Sequence, residues 1–317
     1  MDAMILAAGA GTRLRPLTFN CPKPLLPVLN RPLLQWILDY LNHYPIKRVI
    51  LNTHHLADRF ETLLPGLHRG GIEETAVRFE PEILNTGGGL INVQDFFRSD
   101  PFLVVSGDIL TDIDLSSAIA FHQGHGDPIT LILHDYPEYN QIEVDSRGLI
   151  RRFRKGDGRG LDFANIHILN RSVFDLLPDS GAFDIIWAYQ KIIDRGIPVH
   201  AYVSRDHYWM NIGTPQSYRK VHEECLTGKG PSFVSQFLTA MMKTDGVLIH
   251  PTAVLEEGVC ITDWACIGRG CRLRVGSRIE RAVLWEGVEV APGVTVCESI
   301  VGNGVEVRES LQKAILC

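Results

Sequence analysis

Met4-Ile5-Leu6-Ala7-Ala8-Gly9-Ala10-Gly11-Thr12-Arg13-Leu14-Arg15-Pro16-Leu17-Thr18 places a short apolar run directly before a glycine-rich turn. Such a run, bounded by glycines, predicts a buried strand at Met4–Ala7 that feeds the turn. Glycines there let backbone N–H groups approach an anion with no Cβ in the way. The turn lacks the Gly-Lys-Ser/Thr ending of a Walker loop, and the third glycine of a dinucleotide fingerprint would fall on Leu14. Cations stand in place of those endings: Arg13, Arg15 and, within Cys21-Pro22-Lys23-Pro24, Lys23. The flanking prolines restrict the backbone around Lys23, which suits a fixed cation better than a mobile surface lysine.

Outward from this turn, β-rich runs alternate with helix-spaced ones, which predicts an α/β fold of βαβ units around a largely parallel sheet. Strands are expected at Arg48–Asn52, Ala76–Phe79, Phe102–Ser106 and Ile129–His134. Helices are expected at Pro32–Asn42, Leu56–Leu64, Gly89–Phe97 and Leu115–His122. Gln141–Arg154 reads as a hairpin turning at Asp145-Ser146-Arg147-Gly148. A strand near Val199–Val203 separates helices at Phe183–Arg195 and Thr214–Leu226. Residues 229–245 break the rhythm with Gly230 and Pro231, and are expected to link a first domain, 1–228, to a second.

From Gly246 a period of six takes over. Ile249, Leu255, Ile261, Ile267, Leu273 and Ile279 recur at that spacing, as do Val247, Ala253, Val259, Ala265, Cys271, Ser277 and Val283. The frame slips once near Arg281–Glu286. Neither a helix nor a simple strand has this period; hexapeptide repetition predicts a β-helix over 246–317, each coil having three short faces. Cys260 and Cys266 are expected as small core residues in neighbouring coils, and Trp264 and Trp285 as residues that cap or pair coils. A terminal coil leaves an exposed edge, so a homo-oligomer formed through this domain is expected.

Thirty-one basic against thirty-seven acidic residues, a net charge of −6, exclude a general nucleic-acid binder but not a local phosphate site. The N-terminus lacks the basic region of a signal peptide, and no apolar window is long enough to span a bilayer. Seven cysteines form no C-x-x-C pair. A cytoplasmic protein with free thiols and no membrane partner is expected. His54-His55 has no acidic or cysteine partner at ligand spacing, so no metal is expected there.

The run Leu6 to Val28, with Gly-x-Gly-Thr-Arg-Leu-x-Pro-Leu-Thr followed by Pro-Lys-Pro, resembles the signature of the sugar-1-phosphate nucleotidylyltransferases, in their mannose-1-phosphate guanylyltransferase-like branch. Thr86-Gly87-Gly88-Gly89, Ser106-Gly107-Asp108 and Trp209-Met210-Asn211-Ile212-Gly213-Thr214-Pro215 follow in the family's order. Several branches also carry a hexapeptide-repeat C-terminal domain. The resemblance implies a Rossmann-like, mostly parallel sheet followed by a left-handed β-helix. It implies a reaction joining a nucleoside triphosphate to a sugar 1-phosphate, with Mg²⁺ and with release of pyrophosphate.

By motif position Arg13 would hold the β- and γ-phosphates, and Lys23 the α-phosphate and the attacking sugar phosphate. Leu6, Ala8, Gly9, Gly11 and Thr12 would carry the nucleotide. Asp108 and Asn211 would hold the metal; Asp108 follows a strand end, where open α/β sheets place ligands. Glu82 falls where relatives contact the base. A carboxylate only accepts hydrogen bonds, which suits the N1–H and N2–H of guanine and favours GTP over UTP or dTTP. Gly88 would allow close approach of base or ribose.

Three positions depart from the family pattern. Asn211 stands where most relatives have Asp, which removes one negative charge from the metal site. Arg154-Lys155-Gly156 replaces Glu-Lys-Pro, leaving Lys155 to meet the sugar phosphate. Asn165 stands where many relatives have Gly and would re-dress the sugar pocket. Asn211 and the missing Glu-Lys-Pro motivate a second expectation, a non-catalytic regulatory or assembly subunit of the same fold. A repeat-domain acyltransferase would need a histidine between coils, and His250, before the first full coil, is the only one in the repeat region.

Overall fold

The computed structural model describes residues 1–137, 139, 141–154, 160–241 and 246–317. In chain order come β1 (Asp2–Leu6), β2 (Pro27–Val28), β3 (Arg31–Pro32), α1 (Leu33–Leu41) and β4 (Arg48–Thr53). Next are α2 (Ala57–Leu63), β5 (Glu74–Phe79), α3 (Asn85–Asn92), β6 (Phe102–Ser106), β7 (Ile109–Thr111) and α4 (Leu115–His125). Then follow β8 (Ile129–His134), β9 (Ile142–Val144), β10 (Ile150–Phe153), β11 (Asp162–Leu169), α5 (Ile185–Asp194), β12 (His200–Val203) and β13 (Trp209–Asn211). Helices α6 (Pro215–Leu226) and α7 (Ser232–Met241) lead to the C-terminal strands.

Contacts divide the chain into two compact units. The first holds Met1–Ala10, Ile37–Ile109 and Ile113–Trp209; the second holds Gly11–Trp36, Leu110–Asp112 and Met210–Cys317.

The first unit is built on a seven-stranded sheet of order β12-β8-β11-β6-β1-β4-β5. All its pairings are parallel except those of β11, which runs antiparallel to both β6 and β8. Burial of Met4, Ile50, Val104, Leu131 and Leu133 under α3 and α5 explains why these strands read as apolar runs. Register brings Leu6 beside Asn52 on one side and Ser106 on the other, so three strands end together at the carboxyl edge. The helix expected at Gly89–Phe97 starts instead at Asn85 and ends at Asn92. Three glycines are poor helix formers, but side chains at Gly87 and Gly88 would collide with Phe183 and with the Gly181 carbonyl, so tertiary packing selects glycine.

The second unit begins with three short 3-10 turns, Thr12–Leu14, Leu17–Phe19 and Lys23–Leu25. A β2–β3 hairpin follows, and β7 pairs with β13. Helix α6 opens with a capping box between Thr214 and Ser217 and with Pro215 in its first turn.

Beyond α7, β14 (Val247–Ile249), β15 (Val254–Leu255), β16 (Cys260–Ile267), β17 (Arg272–Leu273) and β18 (Arg278–Leu284) start a stack of parallel strands. Val247 lies opposite Ala265, Val254 opposite Arg272 and Cys260 opposite Arg278, so a coil takes eighteen residues, or three hexapeptides. After a register shift between Thr262 and Ala265, Ala265 faces Ala282, only seventeen residues on. This is the frame slip seen in the sequence. The last coil is shorter again: Ile300 faces Ile315, fifteen residues on. Because one coil holds three hexapeptides, Cys260 and Cys266 lie on the same strand of one coil and not in neighbouring coils. Cys266 is buried and Cys260 exposed.

All seven cysteines are free thiols. Among the described residues, no helix is long and apolar enough to cross a membrane.

Candidate active site

The signature run passes from the first unit into the second between Ala10 and Gly11. In the first unit, β1 ends at Leu6, whose carbonyl accepts from Gly107 N–H (2.8 Å). The next N–H, of Ala7, donates to Asn52 Oδ1 (2.9 Å). Asn52 Nδ2 donates to Glu80 Oε1 (2.7 Å), and Leu84 N–H donates to Glu80 Oε2 (3.2 Å). This chain ties the start of the glycine-rich turn to the loop before α3. Ala8 is buried, while Gly9 has open space where a side chain would stand.

Asp108, two residues beyond β6, is half-buried and accepts from Ser106 Oγ at 2.6 Å. The bland role of helix cap is filled by Asp114, which accepts from the Ser116 and Ser117 N–H groups. Asn165 is half-buried in β11 with φ 58°, inside the irregularity between Phe163 and His167. This left-handed conformation is one that Asn adopts more readily than most residues.

Glu82 is exposed, whereas Glu80, which the sequence reading passed over, is fully buried. The bareness of Gly88 is used by the chain itself, because the Gly181 carbonyl occupies the place of its side chain. Lys155 lies outside the described residues.

In the second unit, Gly11 takes φ 61° and its carbonyl accepts from Thr18 Oγ1 (2.9 Å). Thr12 and Arg13 follow in an exposed 3-10 turn. A Cβ placed on Gly213 would fall 2.5 Å from Asn211 Oδ1 and 3.2 Å from Arg13 Nη2. The guanidinium and the amide oxygen therefore converge on the same glycine, just ahead of α6. Lys23 is half-buried and opens the third 3-10 turn. Arg15, the remaining cation of the run, lies over the exposed Phe19 ring (5.4 Å).

Three kinds of similarity bear on this arrangement. The nucleotidyl transferase family profile matches residues 2–228, and the GMPPB C-terminal domain profile matches 243–313. The chain belongs to the nucleotidyl transferase family. It is similar to a protein named UTP--glucose-1-phosphate uridylyltransferase from Synechocystis, 29% identical over 95% of this chain and 87% of that protein. It is likewise similar to a mannose-1-phosphate guanylyltransferase of Mycobacterium tuberculosis, 29% identical over 93% and 83% of the two chains. The crystal structure of HddC from Yersinia pseudotuberculosis complexed with GMP-PN shares the fold, with TM-score 0.59 and 22% identity over 69% of this chain and 97% of that one.

Two further features of this nucleotidyl transferase went unread in the sequence. A cleft of about 500 Å³ opens at the carboxyl ends of β8 and β12, lined by His134, Tyr136, Ser204, Arg205, His207 and Trp209 among others. Trp209 anchors it by donating its indole N–H to the Ala164 carbonyl (3.0 Å), next to Asn165. Nothing in the spacing of these residues announces it, because β8 and the loop after β12 meet only through sheet order.

The second feature lies at the amino ends of the same two strands, β8 and β12. Among the described residues, His125, Asp127 and His200 are close enough to hold an ion. Both His125 nitrogens are engaged: Nδ1 accepts from Asp127 N–H (3.0 Å), which leaves Nε2–H to donate to Thr130 Oγ1 (2.8 Å). Burial, with His200 and His122 nearby, holds its pKa down at about 4. A neutral ring with both positions used is a structural element, and His200 pairs with Asp127 beside it (2.7 Å).

Proposed function

We propose that this nucleotidyl transferase condenses a nucleoside triphosphate, GTP favoured, with a sugar 1-phosphate, mannose 1-phosphate or a related aldose. The products are an NDP-sugar and pyrophosphate. The observation that carries the proposal is the convergence of Arg13 and Asn211 on Gly213, within a family match spanning 2–228.

An oxygen of the sugar phosphate attacks the α-phosphorus in line. The bond from that phosphorus to the bridging oxygen breaks, and pyrophosphate leaves with the electron pair. Arg13, with its planar fork of donors, meets the leaving β- and γ-phosphates; Lys23, a compact point charge, meets the α-phosphate and the incoming phosphate. Asp108 and Asn211 would hold Mg²⁺. Both offer hard oxygen donors, and the missing Cβ of Gly213 leaves the Asn211 oxygen uncovered. When bound, Mg²⁺ supplies charge neutralisation on the phosphate oxygens.

The exposed carboxylate of Glu82 suits guanine's donors, and the Mycobacterium relative's name favours GTP as well. The Synechocystis relative's name supports UTP as the second reading. We assign the sugar to the cleft beside Trp209, where the aromatic faces of Tyr136 and Trp209 stand among polar side chains. The test is pyrophosphate release from each NTP with Mg²⁺ and a panel of sugar 1-phosphates. The highest rate is expected with GTP and an aldose 1-phosphate; folded protein that releases none with any pair overturns the proposal.

A further inference from the structure

The segment that carries Lys23 has little regular structure of its own. Lys23–Leu25 is a single 3-10 turn, and such turns have poorer hydrogen-bond geometry than α-helix. It runs straight into the β2–β3 hairpin, whose corner residues Leu29 (φ 53°) and Asn30 (φ 61°) are both left-handed. Leucine takes that conformation only where its surroundings over-determine it.

Those surroundings come from α6 and from the β-helix. The Leu29 N–H donates to His222 Nε2 (3.2 Å), and His222 Nδ1 donates to the Tyr218 carbonyl (2.8 Å). Asn30 Nδ2 donates to the Ile267 carbonyl of β16 (2.9 Å), and Cys266 Sγ donates to Asn30 Oδ1 (3.3 Å). The Tyr218 hydroxyl donates to the Pro27 carbonyl and accepts from Trp285 Nε1 (2.9 Å), just beyond β18. Leu29, Tyr218 and His222 are fully buried, and Cys266 and Trp285 nearly so. All of these residues belong to the second unit.

We propose that Trp285 and Tyr218 are positioning residues for the transfer reaction: the β-helix, through Trp285–Tyr218–Pro27, fixes the backbone that presents Lys23 to phosphate. The proposal rests on the reading of Lys23 given above. Each bond alone could be adhesive between packed surfaces. Their common target argues otherwise, since all converge on Pro27–Asn30, immediately after the cation-bearing turn. Misplacing a reacting group by about 1 Å can cost about a hundredfold in rate.

Tyr218→Phe deletes the hydroxyl and keeps the ring, while Trp285→Phe deletes the indole N–H and leaves a smaller aromatic ring in its place. Each variant of the full chain is expected to retain its circular-dichroism spectrum and to lose about tenfold in kcat, with KM for the NTP changed less than twofold. The same substitutions in a Lys23→Ala background are expected to cost nothing further, because the group they position is gone. Trp285→Phe, in the β-helix, serves if Tyr218→Phe does not fold. Folded variants with unchanged kcat, or an equal loss in the Lys23→Ala background, overturn the positioning role. Unchanged kcat for Lys23→Ala alone overturns instead the reading of Lys23.

Discussion

At Gly213 a hydrogen stands where any other residue would place a carbon. That carbon would press on Asn211 Oδ1 at 2.5 Å and on the Arg13 guanidinium at 3.2 Å. Gly213→Ala is therefore expected to lower pyrophosphate-releasing activity at least tenfold, with a Tm within a few degrees of the parent. Steady-state rates alongside calorimetry check it; an active Ala variant would mean that Arg13 and Asn211 do not work together.

His222 carries a prediction of a different kind. Burial holds its pKa down at about 4, and that of His167 at about 3. An ordinary histidine titrates near 6.5. As pH falls from about 6.5 to 4, the unfolded chain takes up protons that the folded one refuses, so stability declines through that window. For His222 the decline amounts to about 3 kcal/mol by pH 4. Tm measured from pH 7 to pH 4 should fall more steeply in the parent than in His222→Gln; equal slopes would contradict the burial argument.

At the scale of elements, the glycines of α3 look like helix breakers and are packing residues. Gly88→Ala raises helix propensity by about 1 kcal/mol but drives a methyl into the Gly181 carbonyl. Overpacking against backbone outweighs propensity. The expected net loss is about 2 kcal/mol, read as a Tm lowered by roughly 5 °C; a raised Tm would refute it.

The same contrast explains what the sequence could disclose. Strands β4, β6 and β8 were legible because both of their faces are buried and their runs are largely apolar. The central antiparallel strand β11 was not legible, because Asp162, Asn165 and His167 interrupt its run. Their partners, His134 for Asp162 and Tyr189 for His167, come from elements remote in sequence. Arg13 and Lys23 stood out as cations beside a glycine-rich turn, and Asp108 and Asn211 through the resemblance of their segments to the family's. Glu80 and Asn52 did not. One buried carboxylate and one strand-end amide announce nothing until register sets them against Ala7.

For the molecule as a whole, the profile boundaries at 228 and 243 differ from the compact units, which group Gly11–Trp36 with Met210–Cys317. A chain ending at Leu226 would strip the hairpin of Ile267 and Cys266, Tyr218 of Trp285, and Trp36 of its ring contacts with Phe233 and Phe237. Limited proteolysis of that truncation is expected to cut within Gly11–Trp36 at least tenfold faster than in the full chain. Equal protection would show that the hairpin stands unaided.

A homo-oligomer through the β-helix remains our reading of how its apolar end coil, with Val254 and Leu255 exposed, is covered. The shrinking coils, from eighteen residues at the start to fifteen at the end, set a limit on how this happens. A stack whose coils shorten has two unlike ends, so the edge at one end does not repeat the geometry of the other. For copies that associate through this domain, head-to-tail growth into a filament is thereby disfavoured relative to side-by-side contacts that close on themselves.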